Sequence, residues 1–564
     1  MRFSTTPRSS DGSTTASSVP GTSSDLGFGF SRFNPQPLIG IQTGIVPPPT
    51  SAPAVEKQGP MNGAQATAAP GSVVPVVFCL RDGNFGGVMV APKATEARFE
   101  NDAQNRVTAS YVLVVSEGLI GPIAVKDVFS GGCRHGSHTQ TYNRRAGTWL
   151  PGNAIVQRTG YTLPQCPTVC GSIGAYTGIT TVSFSRQVPN GSTLWNRQVQ
   201  LFIRAGIQVQ RLVGGGFGSS NNFADFTYWL LSKIGNLPAN MIDIEALRDV
   251  ALFLNANQLR CDCELKEQIN FEELITKWAP FFLVRLRRRN GMRGLIPLVP
   301  TLQDGTINTS AAVAVYEFDE STVIPGSFQI EYAPLEKRKP FKVQVIWRQQ
   351  LQDDASSPRT ITVSYTNVDQ ATLSVETHDL SQFCTSQAHA AKFAAYHLAS
   401  RMHKEHSISF SARPQAHNIQ VNIGDIVRVN LQRRTVGAIT QNHDFLYEVI
   451  SRNKTLEGLV SYECIHHPID TLGRSIVAMA VSNINISEPQ VPVTRSGLTC
   501  DENAGRATDN TVPAEQYIQI INPPTPLAPE VEDAIVEPVE LLIGNMPAQG
   551  TPGSIVNPDD GLDS

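Results

Sequence analysis

Residues 378–430 read HDLSQFCTSQAHAAKFAAYHLASRMHKEHSISFSARPQAHNIQVNIGDIVRVN, and the change of period inside this stretch decides the fold class. Thr385 or Ser386 can cap a helix; Ala388, Ala391, Ala395, Leu398 and Met402 then recur at three- and four-residue spacing and share one face. That face is mostly methyl-sized, so the helix can lie close to its partner, expected to be the sheet begun by the alternating Ser407, Ile408, Ser409 and Phe410. After a polar link, 421–429 (VNIGDIVRV) reads as a tight turn entering a strand. A helix 386–404 laid on a β-barrel edge is the predicted unit.

Outward from there the chain is strand-rich. Residues 327–363 and 443–466 carry continuous strand patterns and with 408–429 make one or two barrel-like units. Residues 281–299 predict a hairpin about Asn290-Gly291. Its Arg285, Arg287 and Arg289 fall on one face, which suits a solvated or subunit-facing ion-pair row better than phosphate binding, because no aromatics interleave. Three helices precede it. One spans 223–233, one is capped by Asp243, and one is started by Asn270 with Glu273; their aromatic stripes read as core. Residues 194–213 read as a strand pair about Ala205-Gly206, and Gly214–Gly218 as a hinge, since a full nucleotide-binding glycine pattern is missing.

The chain has 564 residues, room for three or four domains, and a formal net charge of -4 with 17% charged residues, so nothing global points to a polyanion partner. No run approaches a membrane span and no secretory leader is read behind Arg2 and Arg8, so synthesis in a cytosol is expected. Nine cysteines is an odd count, and most are expected to be reduced. Within the Gly/Ser/Thr-rich excursion 131–191, Cys133, His135, His138, Cys166 and Cys170 leave three readings open: a metal site, a disulfide, or free thiols. Residues 1–72 are too poor in apolar residues to fold alone, and read as a disordered tail or as an arm ordered by partners. The Pro-rich 481–564 divides the same way, with 534–542 its one adhesive piece.

No hydrolase elbow, Walker loop or His-Glu-x-x-His motif is present, and His397, His403 and His406 read as interacting with a helix's carbonyl end. No catalytic, cofactor-binding or metal residue is assigned.

Four segments, in order, resemble the tail tip attachment or central hub proteins of long-tailed bacteriophages. These are 111–128 (YVLVVSEGLIGPIAVKDV), 219–237 (SSNNFADFTYWLLSKIGNL), 326–348 (GSFQIEYAPLEKRKPFKVQVIWR), and the stretch from Cys384-Thr385-Ser386 to the Gly424-Asp425-Ile426-Val427 strand. The resemblance implies an α+β, β-rich multidomain hub. Its parts are an N-terminal arm (1–72), a β-rich hub domain (73–213) carrying the insertion, a helical and hairpin domain (214–300), tube-like β-barrel domains (301–480) and a C-terminal arm (481–564).

It further implies a homotrimeric structural virion protein at the tail tip or baseplate, assembled in the host cytoplasm. Such a hub joins the six-fold tail tube to the three-fold central spike, anchors fibre or other baseplate subunits, and closes the channel until DNA ejection. DNA passes through the lumen without specific binding, and host recognition is delegated to other proteins. The alternative is a β-rich receptor-binding adhesin for a cell-surface glycan, which needs exposed aromatics, whereas Trp195, Trp229, Trp278 and Trp347 sit in element-like patterns.

Overall fold

A computed structural model of the chain describes residues 73–82, 86–92, 94–101, 106–123, 128–130, 133–134, 148–149, 156–159, 179–189, 199–289, 291–349, 357–366, 368–414, 421–434, 440–454, 458–484, 486 and 515–521. Residues 1–72, most of 131–178, and the 534–542 piece lie outside the described residues.

The helix at the centre of the sequence reading spans Gln387–His403, and Ser386 is its cap, its hydroxyl accepting from the His389 amide at 3.3 Å. The helix does not lie on the strand that follows it. Its small residues pack against Phe341–Gln349 and Ser357–Tyr365 of a four-stranded sheet and against the helix Ile476–Ser482. Phe341, Val343, Val345 and Trp347 alternate into this layer with half-buried neighbours between them. Ala390, Ala391, Ala394, Ala395 and Ala399 are all fully buried, so more than one helical face is covered. Only Lys404 and Glu405 link the helix to the strand His406–Ala412, and this short link sends Ile408 and Phe410 into a different core.

That second core lies within a six-stranded sheet ordered Tyr316–Phe318, Ile426–Arg434, Thr440–Lys454, Val460–His466, His406–Ala412, Gln329–Tyr332. Phe318 and Phe410 are four strands apart, about 19 Å in a flat sheet. Their ring centroids are 4.9 Å apart, and Phe318 meets Tyr462 at 5.0 Å. The sheet is therefore rolled on its aromatic core. Its edge strands share no ladder among the described residues, so the expected barrel is not a closed one. Across the seam runs a single bridge, Val323 to Ala412, with Ile324 N donating to Ser411 O at 2.8 Å. Asp319 accepts from the Ser321 and Thr322 amides, and this turn diverts the chain before a longer ladder can form.

The predicted hairpin is present as Val284–Arg289 paired with Met292–Pro297. The expected strand pair about Ala205-Gly206 is not. Val199–Ile203 and Gln208–Gln210 join different sheets, because the link between them runs against Val76–Phe78. A Cβ on Gly206 would stand 2.4 Å from Val77 O, so only glycine fits that approach. Gly214, Gly215 and Gly216, all at positive φ, close the hairpin of Gln208–Gln210 with Phe217–Ser219 and are not an interdomain hinge. One continuous core runs from Val76 through the three helices to the four-stranded sheet. A piece of the C-terminal region belongs to that sheet: Glu515–Ile520 pairs in parallel with Ser357–Tyr365.

Candidate functional site

The polar residues of the Ser-Asn-Asn segment are engaged inside the chain. Asn222 caps its helix by accepting from Ala224 N at 2.9 Å and donates to Ala251 O and Asn255 Oδ1. Asn221 donates to Leu80 O, and Asp225 accepts from Ser220 Oγ and Leu212 N. Burial raises the Asp225 carboxyl above its usual range.

A second knot forms at Asp262, fully buried, whose carboxylate accepts from Leu80 N at 3.1 Å, Gly87 N at 3.4 Å and Thr385 Oγ1 at 2.5 Å. Arg348 donates to the Asp262 carbonyl at 2.9 Å. Burial raises the Asp262 carboxyl and lowers the Arg348 guanidinium, each opposed by the other's charge. Cys79, Cys261, Cys263 and Cys384 are buried thiols outside any disulfide, and Cys79, Cys263 and Cys384 lie close enough to Arg348 to favour its charged form.

Two arginines of the row, Arg285 and Arg287, are ion-paired within the chain, while Arg289 stays exposed. Arg285 pairs with Glu448 at 2.9 Å and donates to Val449 O, tying the hairpin to the rolled sheet. Arg287 pairs with Asp243 at 2.8 Å, while Arg288 and Arg293 share Glu272. Gly424, at φ +96°, lets the turn before Ile426–Arg434 pass the same hairpin; a Cβ there would meet Ile296 at 2.7 Å.

Of the three histidines expected at the helix end, His403 lies in its last turn, while His397 and His406 face elsewhere. His397 points from the buried side of the helix to Glu376 Oε1, 3.0 Å from its Nε2. His378 Nε2 lies 3.2 Å from the same oxygen, and the two rings meet edge-on at 4.5 Å. Arg401 holds the other oxygen, Oε2, and lies over the Phe341 ring. Burial pushes both imidazoles down to about 4, the neighbouring His397 adding to the effect on His378. Glu376 and His378 went unassigned in the sequence; their two-residue spacing on one strand, which puts both on one face, was the signal available.

His406 belongs to the other core, at one end of the roll. Its Nε2 lies 2.6 Å from Tyr447 Oη, which is 2.8 Å from His443 Nε2, and its ring stacks on His466 at 4.6 Å. One hydroxyl proton serves one of two imidazoles, so the other donates to the oxygen. Burial takes His406 down to about 2 and His443, His466 and His467 to about 4. The side chains of Cys133, His135, His138, Cys166 and Cys170 lie outside the described residues.

Exposed apolar side chains flank both edges of the rolled sheet, whose strands also expose Glu317 and Glu331. Val313 (79% exposed) and Val315 (62%) lead into Tyr316–Phe318, and Tyr332 (64%) and Leu335 (73%) end the opposite edge. Among the described residues no helix is long and apolar enough to cross a membrane.

No family model matches the chain, and no curated protein matches it in sequence. Several solved structures are similar. A chain from the virion of a native gene transfer agent particle aligns over 74% of this chain and 89% of its own, at 12% identity and a TM-score of 0.44. A tail protein from Neisseria meningitidis MC58 aligns over 72% of this chain and 98% of its own (10% identity, TM-score 0.26). A 43 kDa tail protein of prophage MuSo2 from Shewanella oneidensis aligns over 70% and 97% (8% identity, TM-score 0.24).

Proposed function

We propose that the chain is a structural virion protein of a bacteriophage-type tail, acting as a trimeric tip or baseplate hub. In this role it joins the six-fold tail tube to the three-fold central spike, anchors fibre or side proteins, and closes the channel until DNA ejection. The observation that carries the reading is the rolled six-stranded sheet whose two edges are flanked by exposed Val313, Val315, Tyr332 and Leu335. The edge strands carry exposed Glu317 and Glu331, so it is the apolar side chains flanking them that suit burial against further subunits. The segments that resemble tail hub proteins fit the same role, because their polar side chains hold the chain together. Residues 301–480 then supply the tube-like part, 73–213 and 214–300 its buttress, and the arms 1–72 and 481–564 grip neighbours. The alternative, a glycan-binding adhesin, would have to use exposed aromatics such as Phe217, Tyr332 and Tyr517, since Trp278 and Trp347 are buried. No reaction is assigned to the chain.

Electron microscopy of purified particles labelled with an antibody to this chain tests the reading. Label at the tail tip is expected, with a trimer in native mass spectrometry after co-expression with neighbouring tail proteins. Absence of the chain from mature particles overturns it.

A further inference from the structure

We propose that Glu376, His378 and His397 form a binding site for a single divalent transition-metal ion of the zinc class, which pins the edge strand Ser374–Asp379 to the long helix. The inference is independent of the assembly role. Three potential ligand atoms from these residues converge within 4.8 Å of one another. Around a tetrahedral ion with bonds near 2.05 Å, neighbouring ligand atoms stand about 3.3 Å apart. The observed separations from Glu376 Oε1, 3.0 Å and 3.2 Å, are within a few tenths of that. His378 Nε2, although this near and buried, makes no hydrogen bond to the carboxylate; its position answers to proximity without hydrogen-bond alignment.

The surroundings favour an ion further. Arg401 engages only Oε2, leaving Oε1 aimed at the imidazoles, the usual arrangement in which an outer partner orients a ligating carboxylate. Phe393 and Phe341 flank the rings and fix their planes. Two nitrogens and one oxygen fit zinc-class ions better than calcium or magnesium, and leave a fourth position for water.

The other cluster of the same composition, Glu405, His406 and His466, is built less well for this purpose. Its imidazoles stack nearly parallel, 16° between planes, so their in-plane lone pairs do not converge, and His406 Nε2 is engaged by Tyr447. Glu405 is also drawn away to Arg338 at 3.0 Å.

The test is titration of the full chain, stripped with a chelator, with cobalt(II) and then zinc(II). We expect one cobalt per chain, displaced by zinc, with the visible absorption of a four-coordinate ion and no thiolate-to-metal charge transfer. Glu376→Gln and His378→Gln should each weaken binding by at least about tenfold, and His466→Gln should leave it unchanged. No bound metal after dialysis, a thiolate charge-transfer band placing the ion on cysteine, or unchanged affinity in both variants would overturn the proposal. The first two readouts use the unaltered chain, so they stand even if a variant folds poorly.

Discussion

Thr385 Oγ1 donates to Asp262 Oδ2 at 2.5 Å, so the residue before the helix cap is held by a carboxylate 123 positions earlier. The same carboxylate takes the Leu80 and Gly87 amides, which joins the first strands, the helical region and the long helix at one buried point. Asp262→Ala strands these donors and leaves the Arg348 guanidinium without its neighbouring charge. The expected loss is about 3–5 kcal/mol, read as a lower urea midpoint. Asp262→Asn, which keeps one acceptor, should cost less, about 1–3 kcal/mol. Equal midpoints for Asp262→Ala and the unaltered chain would remove Asp262 from this role.

The fully buried Ala391 and Ala395 set how closely the long helix approaches its sheet. Ala395→Leu forces several extra carbons into a filled layer, at an expected cost of about 1–3 kcal/mol. Ser400→Ala, on a half-buried position of the same helix, is the control and should stay within about 0.5 kcal/mol. Thermal unfolding of the two variants side by side decides this.

Acid should destabilise the protein. Burial holds His389, His397, His443, His466 and His467 at about 4, against an ordinary 6.5. Between those values the unfolded chain binds more protons than the folded one, so stability rises with pH through this window and is lost as pH falls. Each imidazole contributes at most about 1.4 kcal/mol per pH unit there. The raised carboxyls of Glu117, Asp225, Asp249, Asp262, Glu264 and Asp425 act in the opposite direction, but the lowered imidazoles, His378 and His406 included, outnumber them. With chelator present, the urea midpoint should be lower at about pH 5 than at about pH 7.5, and His443→Gln should flatten the difference. A midpoint that is equal or higher at the acid value contradicts the prediction.

Periodicity made the helix, its cap region and the hairpin at Gly291 legible, because each is set by residues close in sequence. It did not show which sheet the helix covers: a face of alanines fits any flat apolar surface, and the choice is made by the two-residue link through Lys404 and Glu405. Asp262 and Arg348 were invisible for another reason. A charged residue reads as exposed until its partners are known, and theirs lie 86 positions apart. The arginine row was legible as a row, yet Glu448, 163 residues from Arg285, could be matched to it only in space. The rolled sheet's open seam depends on a turn at Asp319 that strand patterning does not register.

The strand Glu515–Ile520 extends the four-stranded sheet from a region otherwise rich in proline, and this gives the last prediction. Its parallel register runs from Thr360 opposite Glu515 to Tyr365 opposite Ile520. Ile520 is buried and Ile518 packs on the same core, while Tyr517 points outward. Truncation after residue 514 therefore removes two apolar side chains from the core, each worth up to about 1.5–3 kcal/mol, and uncovers the amides and carbonyls of Ser357–Tyr365. An uncovered edge recruits other strands, so self-association should accompany the lower unfolding temperature. Truncation after residue 522 keeps the strand and should show neither effect. Ile520→Asp in the full chain separates the strand from the rest of the tail: it should reproduce the loss of stability with every other residue in place. Size-exclusion chromatography and thermal unfolding of the three proteins decide the matter. If the two truncations behave alike, the strand is not what holds that edge.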